Sequence, residues 1–454
     1  MSVQASGKAR LSVVGLGKLG SPLAAVFAHK GFSVIGIDLN AEFVRAINEG
    51  RAPVVEPGLQ DLIGTNRPRL KATTSWDEVA NESDVSFLIV PTPSGADGLF
   101  TNKYILEAVK SLGAAISKKT GYHLVVITST VMPGATAAEI APALEKATGR
   151  KLGSELGLCY NPEFIALGSV VRDMLNPDMI LIGQSDDKAG EMLESIYRHS
   201  TDTKPDFQRM NLVNAELSKI AVNTYVTTKI SYANMIGEIC DKLIGADADV
   251  VTRAIGTDSR IGRKYLKPAI GYGGPCFPRD NKAFVALGRK LGVNCDLALA
   301  TDSINRTQLA RMEAAVRHYA EQSGDRIAVL GAAYKPNTPV IEESQGVMLA
   351  GILAKTGYQV TLSDPQALPH AQAVLSDSVN YTESAEDAVR NSDVIIVTTA
   401  WQQFAQVPVS AFRGNGKIKS VIDPWSLLNQ AAEMRDLNYV KLGGLQSLPA
   451  RLVQ

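Results

Sequence analysis

The same run of patterns occurs twice in this chain, and that repetition limits its fold more than any other feature. RLSVVGLGKLG at 10–20, HKGFSVIGID at 29–38 and ESDVSFLIV at 82–90 are restated by RIAVLGAAYKP at 326–336, KTGYQVTLSD at 355–364 and NSDVIIVTT at 391–399. In both copies a short apolar strand runs into a glycine turn, an apolar-periodic helix and a second strand closing on an aspartate. Strands alternating with helices pair in parallel, because a parallel connection needs a crossover and a helix supplies it. The chain is therefore read as an α/β protein with two doubly wound parallel sheets. Between the copies, NAELSKIAVNTYVTTKISYANMIGEICDKLIG at 214–245 has few helix breakers and predicts one long helix joining them. The expected division is 1–205, a helical centre over 206–322, and 323–454, matching the three or so domains that 454 residues suggest.

In the first copy, strand Leu11 to Val14 runs into Gly15, Gly17 and Gly20, then a helix to about Lys30 stopped by Gly31, then SVIGID ending at Asp38. Strand, glycine turn, helix and strand with an acid 18 residues after the last glycine is the dinucleotide fingerprint, so the two sheets read as Rossmann-like. Gly15 permits the tight turn, Gly17 lets backbone reach a pyrophosphate, and Gly20 allows helix and strand to pack closely. The helix N-terminus offers unpaired N–H groups to the negative charge. Asp38 would accept ribose hydroxyls and repel a 2′-phosphate, so the expected cofactor is NAD and not NADP. Two further apolar runs, 83–93 and 123–134, end in small polar residues. Thr92, Ser129 and Thr130 thereby stand at the carboxyl ends of strands, where they serve either the cofactor crevice or their own turns. In the second copy one glycine of the three, Gly331, keeps its place, and Lys335 and Asn337 follow it. That turn is expected to take something other than a dinucleotide, with Lys335 either meeting a phosphate or carboxylate or lying in solvent.

Lys plus Arg equals Asp plus Glu at 46 each, so no overall field draws the chain to nucleic acid or an anionic membrane. The cysteines at 159, 240, 276 and 295 and the five histidines lack paired metal-ligand spacing, so neither zinc nor a disulfide is expected. MSVQASGKAR has no apolar signal core, SLPARLVQ carries no lipidation signal, and no apolar run approaches a membrane span, so the expected location is the cytoplasm.

GYGGPCFPRD at 271–280 surrounds one thiol, Cys276, with three glycines and two prolines. A lone thiol there reads first as a small buried residue beside a turn. The alternative is a nucleophile, held by Pro275 and Pro278 in a loop whose glycines admit a ligand closely. Glu216, Lys219 and Asn223 fall at i, i+3 and i+7 of the long helix and share a face, which points either to water or into a cleft.

GLGKLG, VPTP, STVMPG, NPEF at 161–164, ELSKIAVN, GYGGPCFPRD and YKPNT at 334–338 occur in this order. Through them the chain resembles the UDP-glucose/GDP-mannose dehydrogenase family over nearly its full length. The resemblance implies oxidation of the C6 alcohol of a nucleotide sugar to a carboxylate with two NAD⁺. It implies Cys276 as the thiol that captures the aldehyde and carries the acyl group as a thioester. Glu163, Thr130 and Asp280 match residues associated with the hydrolytic water, and Lys219 and Asn223 match stabilisers of the oxyanions. Further matches are Leu19 and Arg279 with Thr92, Thr130 and Glu163 on the cofactor side. On the substrate side they are Phe164, Lys219, Asn223, Arg260, Tyr265, Gly273, Phe277 and Lys335. Arg260 matches an arginine that reaches a neighbouring subunit's substrate, which implies a homodimer. The chain departs from the family in IALG at 165–168, in PVIEES at 339–344 where Glu342 replaces an arginine, and at Pro275 and Arg279 beside the thiol. UDP-glucose is the first expected substrate, with a UDP-N-acetylhexosamine or GDP-mannose next. A two-electron β-hydroxyacid dehydrogenase and a non-catalytic nucleotide-sugar sensor are the readings from other classes.

Overall fold

The computed structural model describes residues 9–320, 324–413, 419–428, 434 and 437–444. The junction expected at 322/323 and both chain ends lie outside them. Among these residues two compact units form, 1–221 and 222–454.

In the first unit, eight strands form one sheet: β1 Leu11–Val14, β2 Val34–Ile37, β3 Leu70–Thr73, β4 Val85–Leu88, β5 His123–Ile127, β6 Leu156–Tyr160, β7 Met179–Gln184 and β8 Asp206–Asn211. Their order is β3-β2-β1-β4-β5-β6-β7-β8. Order reverses at β1 and β4, which places a switch-point crevice at their carboxyl ends. Alternate residues serve two cores: Leu11 and Val13 with Val85 and Phe87 on one face, Val14 with Leu88 and Ile127 on the other. Burial on both faces is why these strands read as unbroken apolar runs. One junction departs from the parallel expectation, since β6 and β7 pair antiparallel through Cys159 with Gln184 and Tyr160 with Gly183. The link between them carries only the six-residue helix Val170–Leu175, and an antiparallel neighbour needs no full crossover. β8 pairs with β7, so this sheet continues to Asn211.

The second unit repeats the plan with β9 Arg326–Leu330, β10 Gln359–Ser363, β11 Asn380–Thr382, β12 Val394–Val397, β13 Ser420–Ile422 and β14 Asn438–Val440. Their order, β11-β10-β9-β12-β13-β14, is that of β1 to β6 with every pair parallel. A 31-residue helix, Leu212–Lys242, leaves the first sheet after β8 and runs into the second unit. No helix among the described residues is long and apolar enough to cross a membrane.

Candidate active site

The first glycine turn has the geometry its spacing predicts. Gly15 has φ +94°, and a Cβ there would sit 2.2 Å from Ile89 O, so the turn closes directly against the end of β4. A Cβ on Gly20 would sit 1.8 Å from Gly15 O, which fixes helix Gly20–His29 against the turn. Gly17 differs, since a Cβ would meet nothing within 4 Å. Its missing side chain leaves open space above the backbone, as a bound pyrophosphate requires. The helix beginning after Leu19 has no side-chain cap and no acid in its first turn, so although Ser21 N–H is taken by Gly17 C=O and Pro22 has none, its dipole favours an anion at this end. Asp38 accepts from Leu16 N–H at 2.6 Å and Asn40 N–H at 2.7 Å, which orients the carboxylate beyond the end of β2. These residues fit a dinucleotide.

The second turn does not, and the structure shows why. A loop, 332–344, separates β9 from its helix Gln345–Lys355. Gly331 has φ +122°, and Gly346 fills the close-packing role of the third glycine, its Cβ position lying 2.0 Å from Gly331 O. Sequence spacing hid Gly346, which stands 15 residues after Gly331 instead of the five between Gly15 and Gly20. Ser344 caps the helix, its Oγ accepting from Val347 N–H. Asp364, the counterpart of Asp38, is 1% exposed and accepts from the N–H groups of Ala332, Ala333, Gln366 and Ala367 and from Trp401 Nε1. It has no capacity left for ribose. Lys335 lies on the inserted loop, half-buried.

At the carboxyl ends of β4 and β5, the Thr92 hydroxyl donates to Thr130 C=O at 2.7 Å. Ser129 Oγ accepts from Val90 N–H and donates to Val90 C=O. Thr92 and Ser129 therefore stitch the two loops together, while Thr130 is half-buried. The polar face of the long helix is not turned to water. Glu216 is fully buried and accepts from Gly134 and Thr136 N–H, a structural role closing the start of the helix at Thr136. Lys219 Nζ donates to Glu163 C=O and stands 4.7 Å from the Phe164 ring centroid, so NPEF and the long helix lock together around a cation. Burial pushes the Glu163 carboxyl up to about 7, with Lys219 and the Tyr197 hydroxyl pulling it down. A carboxyl titrating there is suited to general base work near neutrality. Tyr197, which also donates to Asn161 Oδ1, escaped sequence reasoning because it lies on helix Asp187–Ser200 with no motif around it.

In the second unit Cys276 is exposed, whereas Cys159 and Cys240 are buried and Cys295 is intermediate. It is the cap residue of helix Phe277–Leu291, with Pro278 in the first turn, where Pro costs no helical bond. Its C=O accepts from Asp280 N–H at 2.8 Å, and Asp280, 1% exposed, accepts from Asn223 Nδ2 at 2.6 Å. Arg279 lies 3.2 Å from the same carboxylate. Phe277 packs edge-on to Tyr265, ring centroids 6.3 Å apart, and Tyr265 holds φ +61°, an uncommon backbone for an aromatic.

The loop's glycines have a different cause from the one expected. A Cβ on Gly273 would sit 2.3 Å from Glu343 O, and one on Gly274 2.5 Å from the Tyr334 ring. The space they leave is filled by the protein's own 334–343 loop, to which Gly274 N–H also donates through Glu342 C=O at 2.9 Å. Arg260 is exposed and paired with Asp258 at the surface. No cluster of metal ligands occurs among the described residues.

Residues 9–201 match the NAD binding domain of the UDP-glucose/GDP-mannose dehydrogenase family, residues 213–307 its central domain and 328–430 its UDP binding domain. The chain belongs to that family. It is 38% identical over 398 residues to the UDP-glucose 6-dehydrogenase AglM of Haloferax volcanii, covering 87% of this chain and 92% of that one. It is 30% identical over 441 residues to the GDP-mannose 6-dehydrogenase of Pseudomonas putida, covering 93% and 97%. A solved UDP-glucose dehydrogenase from Pyrobaculum islandicum matches with a TM-score of 0.87 at 33% identity, over 99% of this chain and all of that one. The family membership makes this chain an NAD-dependent nucleotide-sugar dehydrogenase.

Proposed function

We propose that the chain oxidises C6 of UDP-glucose by four electrons to the uronic acid. The observation that carries the reading is an exposed thiol, Cys276, fixed one helical turn from the buried Asp280–Asn223 pair. NAD⁺, held at Gly15, Gly17, Gly20 and Asp38, supplies the hydride acceptor, two per sugar. After the first oxidation Cys276 adds as thiolate to the aldehyde carbon and restores a tetrahedral centre bearing hydrogen. Loss of the second hydride leaves a thioester. Glu163, with Thr130 and Asp280 ordering the water, takes a proton from it as its oxygen attacks the acyl carbon, and the C–S bond breaks to release carboxylate and thiol. Lys219 and Asn223 stabilise the oxyanions of both stages. Phe164, Tyr265, Phe277 and Lys335 serve the substrate, with Gly273 doing so only through its backbone, and Leu19, Thr92 and Arg279 serve the cofactor.

UDP is favoured by the family's UDP binding domain over 328–430 and by the named UDP-glucose relatives. The active form in this proposal is a homodimer. Tyr225, Tyr232, Met235 and Ile239 recur along one face of the long helix and are all exposed, an apolar surface that a second copy would cover. The cytoplasm fits because a reducing compartment keeps Cys276 a thiol. The three-part division at about 205 and 322 belongs to the same reading.

The test is incubation with NAD⁺ and a panel of UDP- and GDP-sugars while counting NADH per acid formed. Two NADH per acid with UDP-glucose is expected. One per substrate consumed would favour a two-electron β-hydroxyacid-type enzyme, and binding without NADH a sensor.

A further inference from the structure

Residues 269–272 lead to the thiol loop outside any strand, so their backbone groups need partners from elsewhere. Two asparagines supply them. Asn234, fully buried on the long helix, accepts from Ala269 N–H at 2.9 Å and donates to Ile270 C=O at 2.9 Å. Asn305, on helix Asp296–Tyr319, accepts from Tyr272 N–H at 2.7 Å and donates to Tyr272 C=O at 3.0 Å. Each side-chain amide thus presents the donor and acceptor that a neighbouring strand would present. Gly271 lies between the two grips, and a Cβ there would stand 2.8 Å from Asn305 Oδ1, which is why that position is glycine. Tyr272 is fixed beyond its backbone as well, its hydroxyl donating to Asp302 at 2.5 Å and its ring standing edge-on to Phe277.

The supports are themselves tied together. Thr228 and Thr301 hydroxyls lie 3.1 Å apart and Ser231 Oγ donates to Thr301 C=O at 2.9 Å, joining the helix of Asn305 to the long helix. On the far side of the thiol, Asp280 is held by Asn223 of that same long helix. Cys276 therefore sits in a segment pinned on both flanks to one rigid element.

We propose that Asn234 and Asn305 are positioning residues that hold Cys276 in its attack geometry, an inference that rests on Cys276 being the acyl-carrying thiol. An ångström of misplacement at a reacting atom costs about a hundredfold in rate. Loosening the grip therefore lowers the thiol-dependent steps while leaving the glycine turn's hold on NAD⁺ alone.

The test compares Asn305→Ala, Asn234→Ala, Asn305→Asp and Cys276→Ser with the wild type. It measures kcat, KM for NAD⁺, the thermal midpoint, and the rate at which iodoacetamide alkylates Cys276 by intact mass. The alanine variants are expected to lose about ten- to a hundredfold in kcat, with KM for NAD⁺ within twofold of wild type and a Cys276 alkylation rate shifted at least threefold. Asn305→Asp keeps the acceptor for Tyr272 N–H but sets a carboxylate oxygen against Tyr272 C=O, so one of the two bonds remains and its kcat should still fall below wild type. If an alanine variant fails to fold, Asn305→Asp carries the same expectation in reduced size. Asparagine variants that keep kcat and alkylation rate within twofold, or lose activity only in step with folded protein, overturn the inference. Full turnover by Cys276→Ser would instead overturn the reaction itself, whatever the asparagine variants do.

Discussion

Replacing Glu163 with glutamine keeps the side chain's size and removes its charge, which isolates what burial does to this carboxyl. Burial holds it at about 7 against an ordinary 4.5, even with Lys219 and Tyr197 favouring the ionised form. The folded protein keeps this proton between 4.5 and about 7, where the unfolded chain has released it. The associated stability is full below 4.5 and is lost as pH rises through about 7. At ~1.4 kcal/mol per pH unit, and discounted for the residue's partial exposure, the loss is about 2–3 kcal/mol by pH 8. Glu163→Gln does not titrate, so it should gain on the wild type by about 2–3 kcal/mol between pH 5 and pH 8. Urea unfolding of both proteins across that range measures the difference directly. The same substitution should lower kcat by about a hundredfold or more and abolish an acid limb near neutrality in its pH profile. A stability difference that stays constant from pH 5 to pH 8 would refute the reasoning, because the carboxyl would then ionise at the same pH folded and unfolded.

Gly20→Ala would set a methyl 1.8 Å from Gly15 O, a backbone atom with little room to yield, and overpacking of this kind costs about 1–3 kcal/mol. It should raise KM for NAD⁺ about tenfold or more in steady-state assays, and an unchanged KM would show that the turn relaxes freely. Asp38→Ala should weaken NAD⁺ by about ten- to a hundredfold, the worth of a charged hydrogen bond, and the sugar nucleotide far less. Equal weakening of both in binding titrations would remove Asp38 from the ribose. Ile239→Asp places a charge on the exposed apolar face of the long helix and should convert a dimer to monomers in sedimentation velocity, with wild-type monomers counting against that face as the interface.

Much of the architecture is written in local pattern. Strand, glycine turn, helix and closing aspartate recur because each step obeys a rule of the backbone, and both sheets are doubly wound around β1 and β9, as that recurrence predicts. The thiol loop and the polar face of the long helix were equally visible, since glycine, proline and helical spacing announce themselves within a few residues. What only the tertiary structure decided concerns partners distant along the chain. Asp38 and Asp364 end the same motif, yet one accepts two N–H groups and the other is saturated by four and an indole, a difference set by where Trp401 and the 332–344 loop fold. Gly273 and Gly274 looked like room for a ligand and proved to be room for Glu343 and Tyr334. Glu163 carries no sign of its raised pKa in the residues beside it in sequence, because the burial that desolvates it, and the Lys219 and Tyr197 that partly oppose that burial, come together only after folding. Local sequence fixes what a segment's backbone will do, whereas burial, saturation and charge depend on what packs against it, and those partners lie tens to hundreds of residues away.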